Sequence, residues 1–239
     1  MADAAQVDAQ SSVLEIGGGL GILSEVLAKR GAAVSVVELD RGLLPLLQER
    51  LSSYPRVSVV EGDALAMRLE ELVSPRDGKV VANLPYYVTS PLLARCLELG
   101  YDQIVVMIQK EVADRLKAAP ATREYGSLTV LASYYGKVER LFTVPPNRFY
   151  PSPDVESAVV RIVRHPKVDS PPRLFSPLVR WAFRFRRKTL ARALAEGSGM
   201  PVSKTADLLR QAGIDPERRG ETLSTEEFIG LSENLEGLI

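Results

Sequence analysis

The chain has 239 residues, 46% hydrophobic and 25% charged, and its 30 basic and 30 acidic side chains cancel to a formal net charge of zero. That length holds one sizeable core plus a small appended domain, in the composition range of an ordinary globular protein. Zero net charge weighs mildly against a nucleic-acid partner, although local clustering of Lys and Arg matters more than the sum. Cys96 is the only cysteine, so an intrachain disulfide is excluded, and its apolar surroundings suggest a buried bystander. No apolar run reaches membrane-spanning length, and residues 1–12 lack a basic-then-apolar signal pattern; the expected location is the cytoplasm.

In chain order, Val13–Ile16 reads as a strand, residues 20–30 as a helix, 33–38 as a strand, 41–53 as a helix and 57–61 as a third strand. A fourth strand over 79–83, a helix over 90–99 and a strand over 103–108 follow. This β-α-β-α rhythm predicts a parallel sheet with helices on both faces, hence a doubly wound, Rossmann-like α/β domain. After Gly126 an apolar helical stretch runs to Tyr135, and 137–143 and 157–164 read as late strands. The segment 165–172 is polar and proline-rich, a linker that places a domain boundary at 168/169. Beyond it the pattern is all helical: 176–195, 203–212 and 225–235, the last begun by the capping sequence Ser224-Thr225-Glu226-Glu227.

The loop after the first strand is Glu15-Ile16-Gly17-Gly18-Gly19-Leu20-Gly21. A dinucleotide fingerprint needs glycine at the first, third and sixth places, and here the sixth place is Ile22. The G-x-G-x-G spacing resembles the cofactor loop of class I methyltransferases instead. Glu38 ends the second strand, where a carboxylate accepts both hydroxyls of a ribose; taken alone it reads as a solvated strand-end charge. Asp63, before Ala64 at the third strand end, suits the amine of an adenine or the N-cap of a short helix. All three features sit at carboxyl ends of strands, where open α/β sheets bind ligands.

The fourth strand runs into Asn83-Leu84-Pro85-Tyr86. An adenine N6 lone pair is delocalised into the ring and is a poor nucleophile. Two acceptors for its N–H groups favour a pyramidal, reactive nitrogen: the Asn83 side-chain oxygen and a carbonyl in the Leu84-Pro85 segment, stiffened by proline. Tyr86 can stack on an unpaired base. Phe149, in the proline-rich stretch 144–153, either covers the other face of that base or plugs the core beneath its loop.

These motifs resemble the rRNA adenine N6-dimethyltransferases in order and spacing, from about Val13 to Leu235. So do Gln109-Lys110-Glu111-Val112, residues 149–160 and Arg186-Arg187-Lys188-Thr189-Leu190, while residues 213–224 look like the small-subunit branch. The resemblance implies a class I methyltransferase domain with a seven-stranded, mostly parallel sheet over 1–168, and a small all-helical RNA-binding domain over 169–239. It implies S-adenosylmethionine as methyl donor, no metal, and dimethylation of two adjacent adenosines near the 3′ end of small-subunit rRNA by a monomer acting on the small ribosomal subunit. It carries cofactor contacts onto Gly17, Gly19, Glu38, Asp63, Ala64 and Asn83, and the target-base site onto Asn83, Pro85, Tyr86 and Phe149. The alternatives are the large-subunit methylase of macrolide resistance, or a catalytically impaired ribosome-assembly or RNA-binding factor. Gly18 stands where the family usually has proline, which should loosen the loop. The family's G-Q-N-F-L segment has no counterpart before Val13, so the resemblance implies a truncated start.

Between Ser170 and Ala195 lie seven basic residues and no acidic one. On one continuous helix Arg180, Arg184, Arg187 or Lys188, and Arg192 share a face, which predicts phosphate contact. Leu178, Trp181, Ala182 and Phe185 fall on the face expected to pack inward.

Overall fold

A computed structural model describes residues 1–166 and 172–236. The seven strands are β1 (Ser12–Ile16), β2 (Ala33–Glu38), β3 (Val57–Glu61), β4 (Gly78–Asn83), β5 (Gln103–Gln109), β6 (Gly136–Val144) and β7 (Ser157–Arg164). They form one sheet in the order β3-β2-β1-β4-β5-β7-β6. β7 alone runs in the direction opposite to the other six strands. Val and Ile dominate the central strands because a parallel sheet is covered on both faces and rewards branched apolar side chains. Val13, Val34, Val36, Val81, Val105 and Val159 are all buried, and they pack with Leu27 of α1 (Ile22–Lys29) and Leu47 and Leu51 of α2 (Leu44–Leu51).

The strand order reverses at β1, which pairs with β2 on one side and β4 on the other. That reversal opens a crevice at the carboxyl ends of the strands. The glycine loop follows β1, Glu38 ends β2 and Asn83 ends β4. α3 (Thr89–Leu99) and α4 (Lys110–Arg115) flank β5 in sequence; α4 has no counterpart in the sequence reading. The first residues are part of this fold: Ala2, Ala5 and Val7 are buried, and the Lys79 ammonium donates to the carbonyls of Ala5 and Gln6 at 2.9 and 2.8 Å. Cys96 is buried in α3, and desolvation pushes its thiol up to about 12, which makes it inert as a nucleophile.

Residues 1–113 and 135–165 form one compact unit; among the described residues, 114–134, 166 and 172–236 form the other. The boundary expected at 168/169 lies outside the described residues. The second unit holds most of α5 (Ser127–Tyr135), α6 (Phe175–Arg184), α7 (Leu190–Ser198), α8 (Val202–Gln211) and α9 (Thr225–Glu236). Its core contains Phe175, Leu178, Ala182, Leu194, Leu209 and Phe228. Tyr125 stands edge-on to Phe183 and donates its hydroxyl to the Leu223 carbonyl at 2.8 Å. The expected cap of α9 is present as a reciprocal box: Glu227 N–H donates to the Ser224 hydroxyl, and Ser224 N–H to the Glu227 carboxylate.

One element differs from expectation. The single helix predicted over 176–195 is two helices, broken at 185–189. Tertiary hydrogen bonds replace the helical ladder there. Leu190 N–H donates to the Arg218 carbonyl at 2.6 Å and Ala191 N–H to the Pro216 carbonyl at 3.2 Å. The Arg186 guanidinium reaches the Glu221 carboxylate and the carbonyls of Arg123 and Tyr125. Together these bonds outweigh the local helix propensity of the segment.

Candidate active site

Gly17 takes a left-handed φ of 78° and donates its N–H to the Val37 carbonyl at 2.8 Å. A Cβ there would stand 3.6 Å from the Asn83 carbonyl and the Pro85 ring, so the loop after β1 lies directly against the end of β4. Gly18 does not simply loosen the loop. A Cβ at Gly18 would lie 2.4 Å from Val36 Cγ1 and 2.9 Å from Leu47 Cδ2, so the core closes into the space a side chain would take.

Glu38 is buried, which removes the solvated-charge reading. Its carboxylate accepts from the N–H groups of Gly19 at 2.8 Å, Leu39 at 2.8 Å and Asp40 at 2.9 Å. These bonds tie β2 to the glycine loop and fix the carboxylate in one orientation, with acceptor capacity left on Oε2 for a hydroxyl donor. Asp63 is exposed, and its Oδ1 accepts from Leu65 N–H at 2.8 Å, closing a local turn where the sequence suggested the N-cap of a short helix. Gly17, Glu38, Asp63, Ala64 and Pro85 line one cavity of about 200 Å³. The Arg95 guanidinium of α3 donates to the carbonyls of Leu65 and Met67 and so holds the loop that follows Asp63.

A second, larger cavity of about 580 Å³ adjoins the first across Gly17. Glu15, Gly19, Asn83, Met107 and Phe149 line it, with Met1 and Asp3 at its edge. Glu15 is 1% exposed and its Oε2 has no hydrogen-bond partner among the described residues. Burial raises its carboxyl to about 8, opposed in part by the Ser24 hydroxyl and reinforced by the charge of Glu38.

The third cavity, about 230 Å³, is a slot lined by Asn83, Leu84, Pro85, Tyr86 and Phe149, with Pro151 and Pro153. Phe149 is only half-buried and lines both this slot and the large cavity, so it is not a plug beneath a loop. Tyr86 stands on the short 3₁₀ turn after β4, and its hydroxyl bonds to the Ser157 hydroxyl. The Pro85 carbonyl is already engaged, by Val88 N–H at 3.2 Å and by the Thr89 hydroxyl at 2.9 Å. That leaves the Leu84 carbonyl as the open backbone acceptor of the pair. Asn83, like Phe149, lines both the slot and the large cavity and so stands where the two meet.

Asn83 at the junction, with carboxylates at two strand tips and an aromatic slot beside it, is a geometry for moving a group from a nucleoside-bearing donor to a planar amine. A family model described as ribosomal RNA adenine dimethylase matches residues 1–236. The chain belongs to the ribosomal RNA adenine dimethylase family. This dimethylase-family chain is 45% identical over 246 aligned positions to ribosomal RNA small subunit methyltransferase A of Bacillus mycoides (strain KBAB4), covering 98% of this chain and 84% of the relative. The same protein of Bacillus anthracis (strain A0248) matches to the same extent. Among solved structures, a dimethyladenosine transferase from Plasmodium falciparum superposes with a TM-score of 0.75 at 25% identity, over 99% of this chain and 94% of that one. The 23S rRNA methyltransferase ErmE gives 0.63 at 27% identity, over 98% and 95%.

In this family member the dimethylase site residues drawn from sequence converge: Gly17, Gly19, Glu38, Asp63, Ala64, Asn83, Pro85, Tyr86 and Phe149 all line the three adjoining cavities. The basic residues do not form the single helical face expected of them. Arg180 and Arg184 are on α6, Arg187 and Lys188 in the break, and Arg192 on α7. The Lys188 ammonium pairs with Glu196 and stands 4.7 Å from the Phe185 ring, with the Arg184 guanidinium 5.5 Å from the same ring. Arg187 and Arg192 are exposed. Glu15, Arg95 and Ser157 entered no sequence-based role. For Glu15 a signal was present: a carboxylate inside Val13-Leu14-Glu15-Ile16, a central strand covered on both faces. Arg95 and Ser157 act through chain-distant partners that spacing does not reveal. Among the described residues no His, Cys, Asp and Glu cluster could hold a metal, and no helix is long and apolar enough to cross a membrane.

Proposed function

We propose that this chain transfers methyl groups from S-adenosylmethionine to the N6 amines of two adjacent adenosines near the 3′ end of small-subunit rRNA, a step coupled to subunit maturation in the cytoplasm, and that it acts as a monomer. The observation that carries the reading is the placement of Asn83 between the large cavity and the aromatic slot.

The residues present suit the donor. The Glu38 carboxylate, held by three backbone N–H groups, receives ribose hydroxyls, and Asp63 receives the adenine amine. Glu15, with an unpartnered oxygen on the large cavity, suits the donor's ammonium group. When bound, S-adenosylmethionine supplies an electrophilic methyl group on a sulfonium.

The remaining work belongs to the chain. Tyr86 and Phe149 sandwich the target adenine. The Asn83 side-chain oxygen and the Leu84 carbonyl accept the two N6–H groups, turning the nitrogen lone pair toward the donor cavity. No general base is required, because the N–H becomes acidic once the nitrogen is alkylated and its proton passes to solvent. Rate enhancement then comes from positioning for in-line attack.

Glu38→Ala weakens S-adenosylmethionine binding by roughly tenfold or more, since loss of charge-assisted hydrogen bonds costs about 1.5–3 kcal/mol. Calorimetry measures this directly, and an unchanged dissociation constant would refute the ribose role. The substrate is tested with labelled donor on separated, unmethylated ribosomal subunits. Label is expected in two adjacent adenosines of the small-subunit rRNA; label in large-subunit rRNA instead would establish the other branch. For RNA contact, Arg187 and Arg192 are the cations to test. Reversing both to Glu is expected to lower the slope of log affinity against log salt by about 2. An unaltered slope would return these side chains to a solvated surface.

A further inference from the structure

Tyr86 presents a puzzle of rigidity. It stands on a single 3₁₀ turn, lines the slot and is half-exposed. A stacking wall that must be ordered afresh at each encounter loses alignment to side-chain entropy. The structure supplies a fixed point. Ser157, the first residue of β7, is 0% exposed, and its hydroxyl is bonded to the Tyr86 phenol.

Ser157 is itself held from both sides. It is in register with Gln109 at the end of β5 and with Val144 at the end of β6, and the adjacent Glu156 carbonyl accepts Lys110 N–H at 2.9 Å. A hydroxyl buried this deeply costs free energy unless it is bonded, and the phenol is its hydrogen-bond partner. The bond therefore serves two ends: it satisfies a buried group and it locks a ring on the rim to the sheet interior.

We propose that Ser157 is a positioning residue for methyl transfer, holding the Tyr86 ring at the angle that completes the base slot opposite Phe149. The proposal rests on the reading of Tyr86 as a wall of that slot. Ser157 touches neither substrate nor donor in this account; it acts only through the phenol.

The test compares Ser157→Ala, Ser157→Thr, Tyr86→Phe, Tyr86→Ala and the double variant Ser157→Ala/Tyr86→Phe, all on unmethylated small subunits, with kcat and KM resolved and melting temperatures recorded. Ser157→Ala and Tyr86→Phe are each expected to lower kcat about tenfold, within the range that small misplacements cost, with KM for the subunit and donor affinity within about twofold of the parent. The double variant is expected to fall no further than either single one, because both remove the same bond. Ser157→Thr, which keeps the hydroxyl, is expected to restore most of the rate. Full kcat in Tyr86→Phe overturns the proposal even if Ser157→Ala fails to fold, as do additive losses in the double variant. Tyr86→Ala separates the two levels: loss of activity there with full activity in Tyr86→Phe and Ser157→Ala ends the role of Ser157 but keeps the slot, whereas full activity in Tyr86→Ala ends the slot itself.

Discussion

Replacing Asn83 by alanine is expected to reduce methyl transfer by on the order of a hundredfold or more while leaving the fold intact, because it would delete one of the two acceptors proposed for the reacting amine. Its exposure makes the structural side of this prediction firm. An exposed side chain with no structural bond can be truncated within about 0.5 kcal/mol of parental stability. The neighbouring acceptor, the Leu84 carbonyl, is backbone and survives the substitution, so the residual rate reports what one acceptor achieves alone. Single-turnover label incorporation into unmethylated small subunits measures the loss, and circular dichroism with a melting curve checks the fold. A near-parental rate in a folded variant would remove Asn83 from the chemistry.

The second large effect is on stability. The Glu15 carboxyl is raised from 4.5 to about 8, chiefly by burial. Folding therefore retains a proton that the unfolded chain gives up. In that case the contribution of Glu15 to stability is full below about 4.5 and declines as pH rises through about 8. Glu15→Gln keeps the shape and cannot ionise. It is expected to unfold with a weaker pH dependence, matching the parent near pH 4 and exceeding its stability by a few kcal/mol near pH 9. Urea titrations at the two pH values decide this; parallel pH profiles for parent and variant would show that Glu15 is not held neutral by its burial.

Much of the sheet was legible because its signals are local. β2, β3 and β7 are runs of branched apolar residues, and their observed limits coincide with those read from sequence. The tight turn after β1 was legible from its glycines, since positive φ at Gly17 is a local requirement. What escaped was set by partners distant in the chain. The helix over 176–195 looks continuous by periodicity, yet Pro216 and Arg218 take the N–H groups of Ala191 and Leu190. α4 is one short turn after a strand, below the length at which periodicity speaks. Phe149 could be placed in the sequence reading but not aimed. Only the folded loop decides between a plug and a wall, and it leaves the ring half-exposed between two cavities.

The most direct measurement is a crystal structure with S-adenosylhomocysteine and a short RNA bearing an unpaired adenosine. The ribose is predicted to lie on Glu38, the donor adenine beside Asp63, and the substrate adenine between Tyr86 and Phe149, its N6 within hydrogen-bond distance of the Asn83 amide oxygen and the Leu84 carbonyl. A donor seated away from the tips of β1, β2 and β3, or a substrate base outside that aromatic pair, would contradict it.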